Sequence, residues 1–231
     1  MKALNKVPGI ILTAVQSGVW YLKTIQKIAQ ESMGNEYVFP LKMIQLPFQE
    51  INEILPHKME EAAQMLVPYL KDMKEIQAQP FLLANITLHE TFNYYPKTFS
   101  KEIHFLSIED VLIRKLPVTP KKLAILGTAY TMNSGYLKSL IPKNHQVILL
   151  NKDLQKKVDD LRITFYNELD KNQAEKTFSE LTKQHPEVDF FIISCTELAL
   201  ALDFFDNKTK FFNLPHMQCE RLVSHYLNNH K

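Results

Sequence analysis

DFFIISCTELALAL, residues 189–202, is the stretch on which the reading of this chain turns. The apolar run Phe190–Ile193 leads into Ser194, Cys195, Thr196 and Glu197, after which helix-forming residues take over. A short apolar, β-branched run closed by small polar residues predicts a buried strand, and the residues beyond it predict a helix. Cys195, one of only two cysteines, falls at that junction. Free backbone N–H groups and the positive end of a helix dipole favour an anion there, so the placement predicts an acidified, reactive thiol. The same N–H groups are suited to a carboxylate.

Working outward, similar strand-like runs recur at 10–15, 42–46, 80–86, 122–128, 146–150 and 210–214. Their near-continuous apolarity suits parallel strands covered on both faces. Between them, 18–33, 57–76, 152–183 and 216–229 carry helical periodicity. Such alternation predicts an α/β protein with mostly parallel sheets flanked by helices. The lysines and acids of 152–183 read as solvated helix faces. LPVTPKK (116–122) reads as a linker.

The chain also repeats itself. GIILTA (9–14) matches LAILGTA (123–129), SG followed by YLK recurs in 17–23 and 134–138, and FLLAN (81–85) matches FIISC (191–195). Together these predict two pseudo-symmetric α/β domains. Residues 1–116 form the N-terminal half, joined by a C-terminal helix over 215–231, and 117–214 form the second half. Open sheets of this kind bind ligands at the carboxyl ends of their strands, which puts the active site in the cleft between the domains.

Composition narrows the classes. A net charge of +2 with 45% hydrophobic and 23% charged residues describes a globular chain without the basic surplus of a nucleic-acid or membrane-surface binder. Two cysteines make no disulfide framework, which fits a reducing, cytoplasmic setting. Lys2 and Lys6 precede VPGIILTAV, but Gln16 breaks the apolar run, so a first strand is expected there rather than a secretory leader. Five glycines build no phosphate-binding loop of a common type. His216 and Cys219 share a helix face without a matching cysteine pair, so no metal site is expected. Cys219 reads as a core or surface residue.

ISCTEL (193–198) and LGTAYTM (126–132) closely resemble the motifs of the aspartate/glutamate racemase family. In that family a strand ends in Cys-Thr-Glu-Leu, and the second half opens on Leu-Gly-Thr followed by Thr-Met. SGVWYLKTI (17–25), LPFQEI (46–51), LLANITLHE (82–90) and NLPHMQCERLV (213–223) extend the likeness more loosely. The resemblance implies cofactor-independent proton transfer at the α-carbon of a small amino acid or other small carboxylate, and a homodimer. Cys195 is implied as a catalytic thiol. Ser17, Thr87, Thr128, Thr131, Thr196 and Glu197 are implied around the substrate.

One departure stands at the centre of the pattern. The family places a second cysteine in the first half, before Asn-Thr-x-His. Here ITLH (86–89) keeps Thr87 and His89 but sets Asn85, or Ala84 in the neighbouring register, at the cysteine position. Neither residue removes a proton, so a one-thiol enzyme is expected, in an isomerase or decarboxylase-like variant. His89 is either a substitute acid or base, or a helix-start histidine making local hydrogen bonds. The other functional class that fits is a non-catalytic small-carboxylate binding protein. After KMI stands Gln45, with no arginine or lysine beside it to read a side-chain carboxylate.

Overall fold

The computed structural model describes residues 7–96, 102–168 and 170–229; Lys2 and Lys6 lie outside them. All seven expected strands occur: β1 Val7–Leu12, β2 Lys42–Gln45, β3 Ala78–Leu83, β4 Lys122–Leu126, β5 Gln146–Val147, β6 Phe190–Ile193 and β7 Phe211–Asn213. The helices are α1 Val15–Met33, α2 Phe48–Ile54, α3 Met59–Glu75, a 3-10 helix Thr87–Tyr94, α4 Ile108–Lys115, α5 Ala129–Asn133, α6 Gly135–Leu140, α7 Lys152–Asn167, α8 Lys171–Gln184, α9 Thr196–Leu202 and α10 Leu214–Asn228. Among the described residues every strand pairing is parallel. The protein is α/β, with parallel sheets flanked by helices.

The chain divides into two compact units, residues 1–108 with 216–231, and residues 109–215. The division falls after the first residue of α4, so the rest of this helix and the stretch 116–122 belong with the second unit. The sheets repeat one topology. Strand order is β2-β1-β3 in the first unit and β5-β4-β6-β7 in the second. In each, the first strand of the unit is flanked by the second and third, and β7 is an addition.

In the first unit Ile10, Ile11, Leu82 and Leu83 are buried at the centre of the sheet. From α3, Ala62, Leu66, Leu70 and Met73 pack onto it at three- and four-residue spacing. Truncating Leu66 or Leu70 to alanine would cost about 2–5 kcal/mol. Gly9 is dictated by space, because a Cβ there would lie 2.6 Å from Met73 Cε and 2.7 Å from Ala78 Cβ. In the second unit Leu123–Leu126 lie in register with Phe190–Ile193, and Phe191–Ile193 with Phe211–Asn213. β6 is therefore an inner strand, and Phe191, Ile192 and Ile193 are fully buried.

Several boundaries differ from the sequence reading, two of them in kind or extent. Val15 opens α1 instead of closing β1, and β5 keeps only two of five expected residues. The short helices α2, α4, α5 and α6 have eight residues or fewer. That is too short to show a helical period. Among the described residues no helix is long and apolar enough to cross a membrane.

Candidate functional site

Cys195 sits where the sequence places it. β6 ends at Ile193, Ser194 turns the chain, and Cys195 is the extended residue immediately before α9. The turn is held by β4: Ser194 gives both its N–H and its hydroxyl to the Leu126 carbonyl, at 2.8 and 2.7 Å. This contact dictates Gly127, since a Cβ there would lie 2.7 Å from Ser194 Oγ and 3.1 Å from Thr131 Cβ. Strand pairing thus brings the Gly-Thr of β4 beside the Ser-Cys of β6.

The polar groups at these strand ends are already engaged with one another. Thr128 caps α5, its hydroxyl accepting from the Thr131 N–H at 3.0 Å, and the two hydroxyls are 2.9 Å apart. The Cys195 thiol donates to Glu197 Oε2 at 2.8 Å, and the Thr196 hydroxyl donates to the same oxygen at 3.0 Å. Thr131, Cys195 and Thr196 are buried.

The expected acidic thiol is overturned. Burial and the Glu197 carboxylate push Cys195 well above the ordinary thiol range, because both disfavour a second negative charge. The opposing influences are Arg162 of α7 and the Leu198 N–H, which pull the thiol back down. Burial works against the Arg162 charge, yet its hydrogen bond to Asp159, at 2.8 Å, and the Glu197 carboxylate favour it. Sequence reading missed Arg162 inside a charge-rich helix. The signal was there: Leu154, Val158, Leu161 and Phe165 form the buried stripe of α7, and Arg162 lies four residues beyond Val158 on it.

In the first unit the strand ends repeat the arrangement. The Ala84 N–H bonds the Ile11 carbonyl at 2.9 Å, just as the Ser194 N–H bonds that of Leu126. The next residue in each case is Asn85 and Cys195, so Asn85 is the internal counterpart of the cysteine and Ala84 is not. By the same register Thr13 is the counterpart of Thr128, a residue the sequence reading passed over although the repeat LTA/GTA contains it. Its hydroxyl donates to the Ala84 carbonyl at 3.2 Å. Asn85 Oδ1 accepts from the Leu88 N–H at 3.0 Å, capping the 3-10 helix that half-buried Thr87 begins. Ser17 is buried and bonds within its own helix start, to the Ala14 carbonyl at 3.3 Å. Gln45 turns its amide to the carbonyls of Leu12 and Leu46.

For His89 the structure favours the hydrogen-bonding alternative. The ring is 1% exposed. Nδ1 accepts from the Ile108 N–H at 3.3 Å, so Nε2 carries the proton toward the Leu83 carbonyl at 3.2 Å. Gln218 of α10 lies 3.1 Å from the same nitrogen and takes a hydrogen bond from the Tyr21 hydroxyl at 2.9 Å. Burial holds the imidazole neutral, its pKa lowered to about 3 against the weaker opposing pull of the Leu83 carbonyl. Such a group supports the end of β3 and is poorly suited to exchanging protons near neutral pH. Cys219 is fully buried in α10. Among the described residues no three metal-ligating side chains converge.

No family model matches the sequence, and no curated protein matches it. Solved structures do. Aspartate racemase from Picrophilus torridus superposes with a TM-score of 0.75 at 18% identity, covering 96% of this chain and 94% of its own. An aspartate racemase homologue from Pyrococcus horikoshii gives 0.70 at 20%, covering 95% and 98%. Glutamate racemase from Francisella tularensis, solved with D-glutamate, gives 0.58 at 15%, covering 98% and 83%.

The fold is that of the aspartate and glutamate racemases.

At these identities the likeness is one of fold, and it spans nearly the whole chain. Within the racemase fold, this chain carries one strand-end thiol, on β6, and an asparagine at the matching turn after β3.

Proposed function

We propose that the protein carries out cofactor-independent proton transfer at the α-carbon of a small amino acid or dicarboxylate, with Cys195 as its single thiol acid/base. The observation that carries this reading is the Cys195 thiol at the carboxyl end of an inner parallel strand, 2.8 Å from a carboxylate, in a chain with the racemase fold. The proposal includes a cytoplasmic homodimer. The aspartate and glutamate racemases that share its fold make aspartate and glutamate the first compounds to try.

The chemistry follows from the protonation state. A thiol held protonated is an acid, and it donates to a carbanion: the S–H bond breaks, a C–H bond forms, and the charge moves to sulfur. Reversal takes the proton back onto sulfur. Inverting the α-carbon needs a second acid or base on the other face, and asparagine cannot serve as one. Exchange or protonation on a single face is what one thiol supports. An isomerase-like exchange and a decarboxylase-like protonation after loss of CO2 both use this step. Thr128, Thr131 and Thr196 are the hydroxyls assigned to the substrate carboxylate.

A second reading is a binding protein for small carboxylates that no longer turns over. Asn85 favours it, because its side chain is committed to a cap. Incubation in D2O with aspartate, glutamate and related dicarboxylates separates the two. Loss of the α-proton NMR signal from at least one compound is expected. Calorimetric binding with no exchange from any of them would establish the second reading instead.

A further inference from the structure

We propose that Glu197 and Arg162 together govern the proton on Cys195, Glu197 keeping it on sulfur in the resting protein and Arg162 carrying the counter-charge when it leaves. The inference rests on reading Cys195 as the reacting thiol and deepens it, turning Glu197 from a residue assigned to substrate into a positioning residue for the thiol.

The geometry is specific. One oxygen, Glu197 Oε2, accepts from both Cys195 Sγ and Thr196 Oγ1, at 2.8 and 3.0 Å. A carboxylate oxygen has the lone pairs to accept both bonds. A carboxylate bonded to a thiol favours the neutral thiol, since ionisation would set two negative charges against each other. Something must then compensate when sulfur gives up its proton. Arg162 is placed to do so. It stands on α7, which packs against α9, and its charge favours the thiolate at Cys195.

Among the described residues, no further charged group is found to act on the thiol. Asp159, on α7, is already bonded to Arg162 at 2.8 Å. The inward residues of α8 are Ala174, Thr177, Phe178 and Leu181. β6 contributes only phenylalanine and isoleucine. Beside burial and the Leu198 N–H, the charges that act on Cys195 are one anion and one cation. A ligand carboxylate that drew Arg162 away, or a proton added to Glu197, would change its ionisation in opposite directions.

Thiolate absorbance at 240 nm, titrated against pH with Cys195→Ser subtracted to remove Cys219, reads this directly. Glu197→Gln is expected to lower the Cys195 midpoint by at least one pH unit. Glu197→Asp, which keeps the charge, is expected to return it most of the way. Arg162→Met is expected to raise it. Circular dichroism on each variant identifies any that fails to fold, and Glu197→Asp with Arg162→Met then carries the comparison. A midpoint unmoved by Glu197→Gln, or moved equally by Glu197→Asp, would overturn the pairing. No substrate is needed, so an absent exchange reaction counts against the proposed function alone.

Discussion

Asn85 and Cys195 stand one residue beyond matching inter-strand hydrogen bonds, Ala84 N–H to Ile11 in one unit and Ser194 N–H to Leu126 in the other, at 2.9 and 2.8 Å. Two similar halves therefore present different chemistry at equivalent turns. One side chain caps a helix, and the other is a thiol.

The first prediction concerns Asn85. Replacing it with alanine removes the acceptor for the Leu88 N–H and should cost about 1 kcal/mol, the usual worth of a helix cap. Urea unfolding measures it. Asn85→Cys restores a second thiol, and the expected outcome is racemisation of a compound that the parent only exchanges. Chiral chromatography reads the result.

Gly127→Ala is the second. Its added methyl would meet Ser194 Oγ at 2.7 Å and displace the Ser194–Leu126 bond at the base of the Cys195 turn. A loss of roughly 1–3 kcal/mol is expected from overpacking. Exchange activity should fall further than stability, because the turn that aims the thiol is what moves. Equal activity at saturating substrate would contradict this.

A third prediction is a pH dependence of stability. His89 has its pKa lowered to about 3 in the folded protein, against an ordinary value of about 6.5 in the unfolded chain. Below about pH 6.5 the unfolded state takes up a proton that the folded state refuses. Stability present above that pH is therefore lost as pH falls toward 3, at up to roughly 1.4 kcal/mol per pH unit. His89→Gln should remove that component of the slope. It should also lower stability at pH 7 by about 1–3 kcal/mol, because the Ile108 N–H loses its acceptor. Urea midpoints measured from pH 7.5 to 4 test both.

What the sequence made legible depended on whether a residue's role was local. The β6 strand, its end at Cys195 and the helix after it follow from an apolar run closed by polar residues. The duplicated topology followed from LTA/GTA and FLLAN/FIISC, because equivalent strands carry equivalent edges. The state of the thiol was not legible, since it depends on a carboxylate folding back two residues along and on a cation brought by packing from thirty-three residues away. The burial of His89 was hidden for the same reason: Gln218, over one hundred residues later, completes its surroundings. Short helices such as α5 left no periodic trace at all.

The central claim is that the Cys195 sulfur is the group that moves the proton, and α-deuterium exchange in the wild type beside Cys195→Ser tests it most directly. Serine is near in volume, so the fold should persist by circular dichroism. The exchange rate should drop by roughly 100-fold or more, in line with the loss of a positioned acid–base group. Exchange that continues at the wild-type rate in Cys195→Ser would contradict the account.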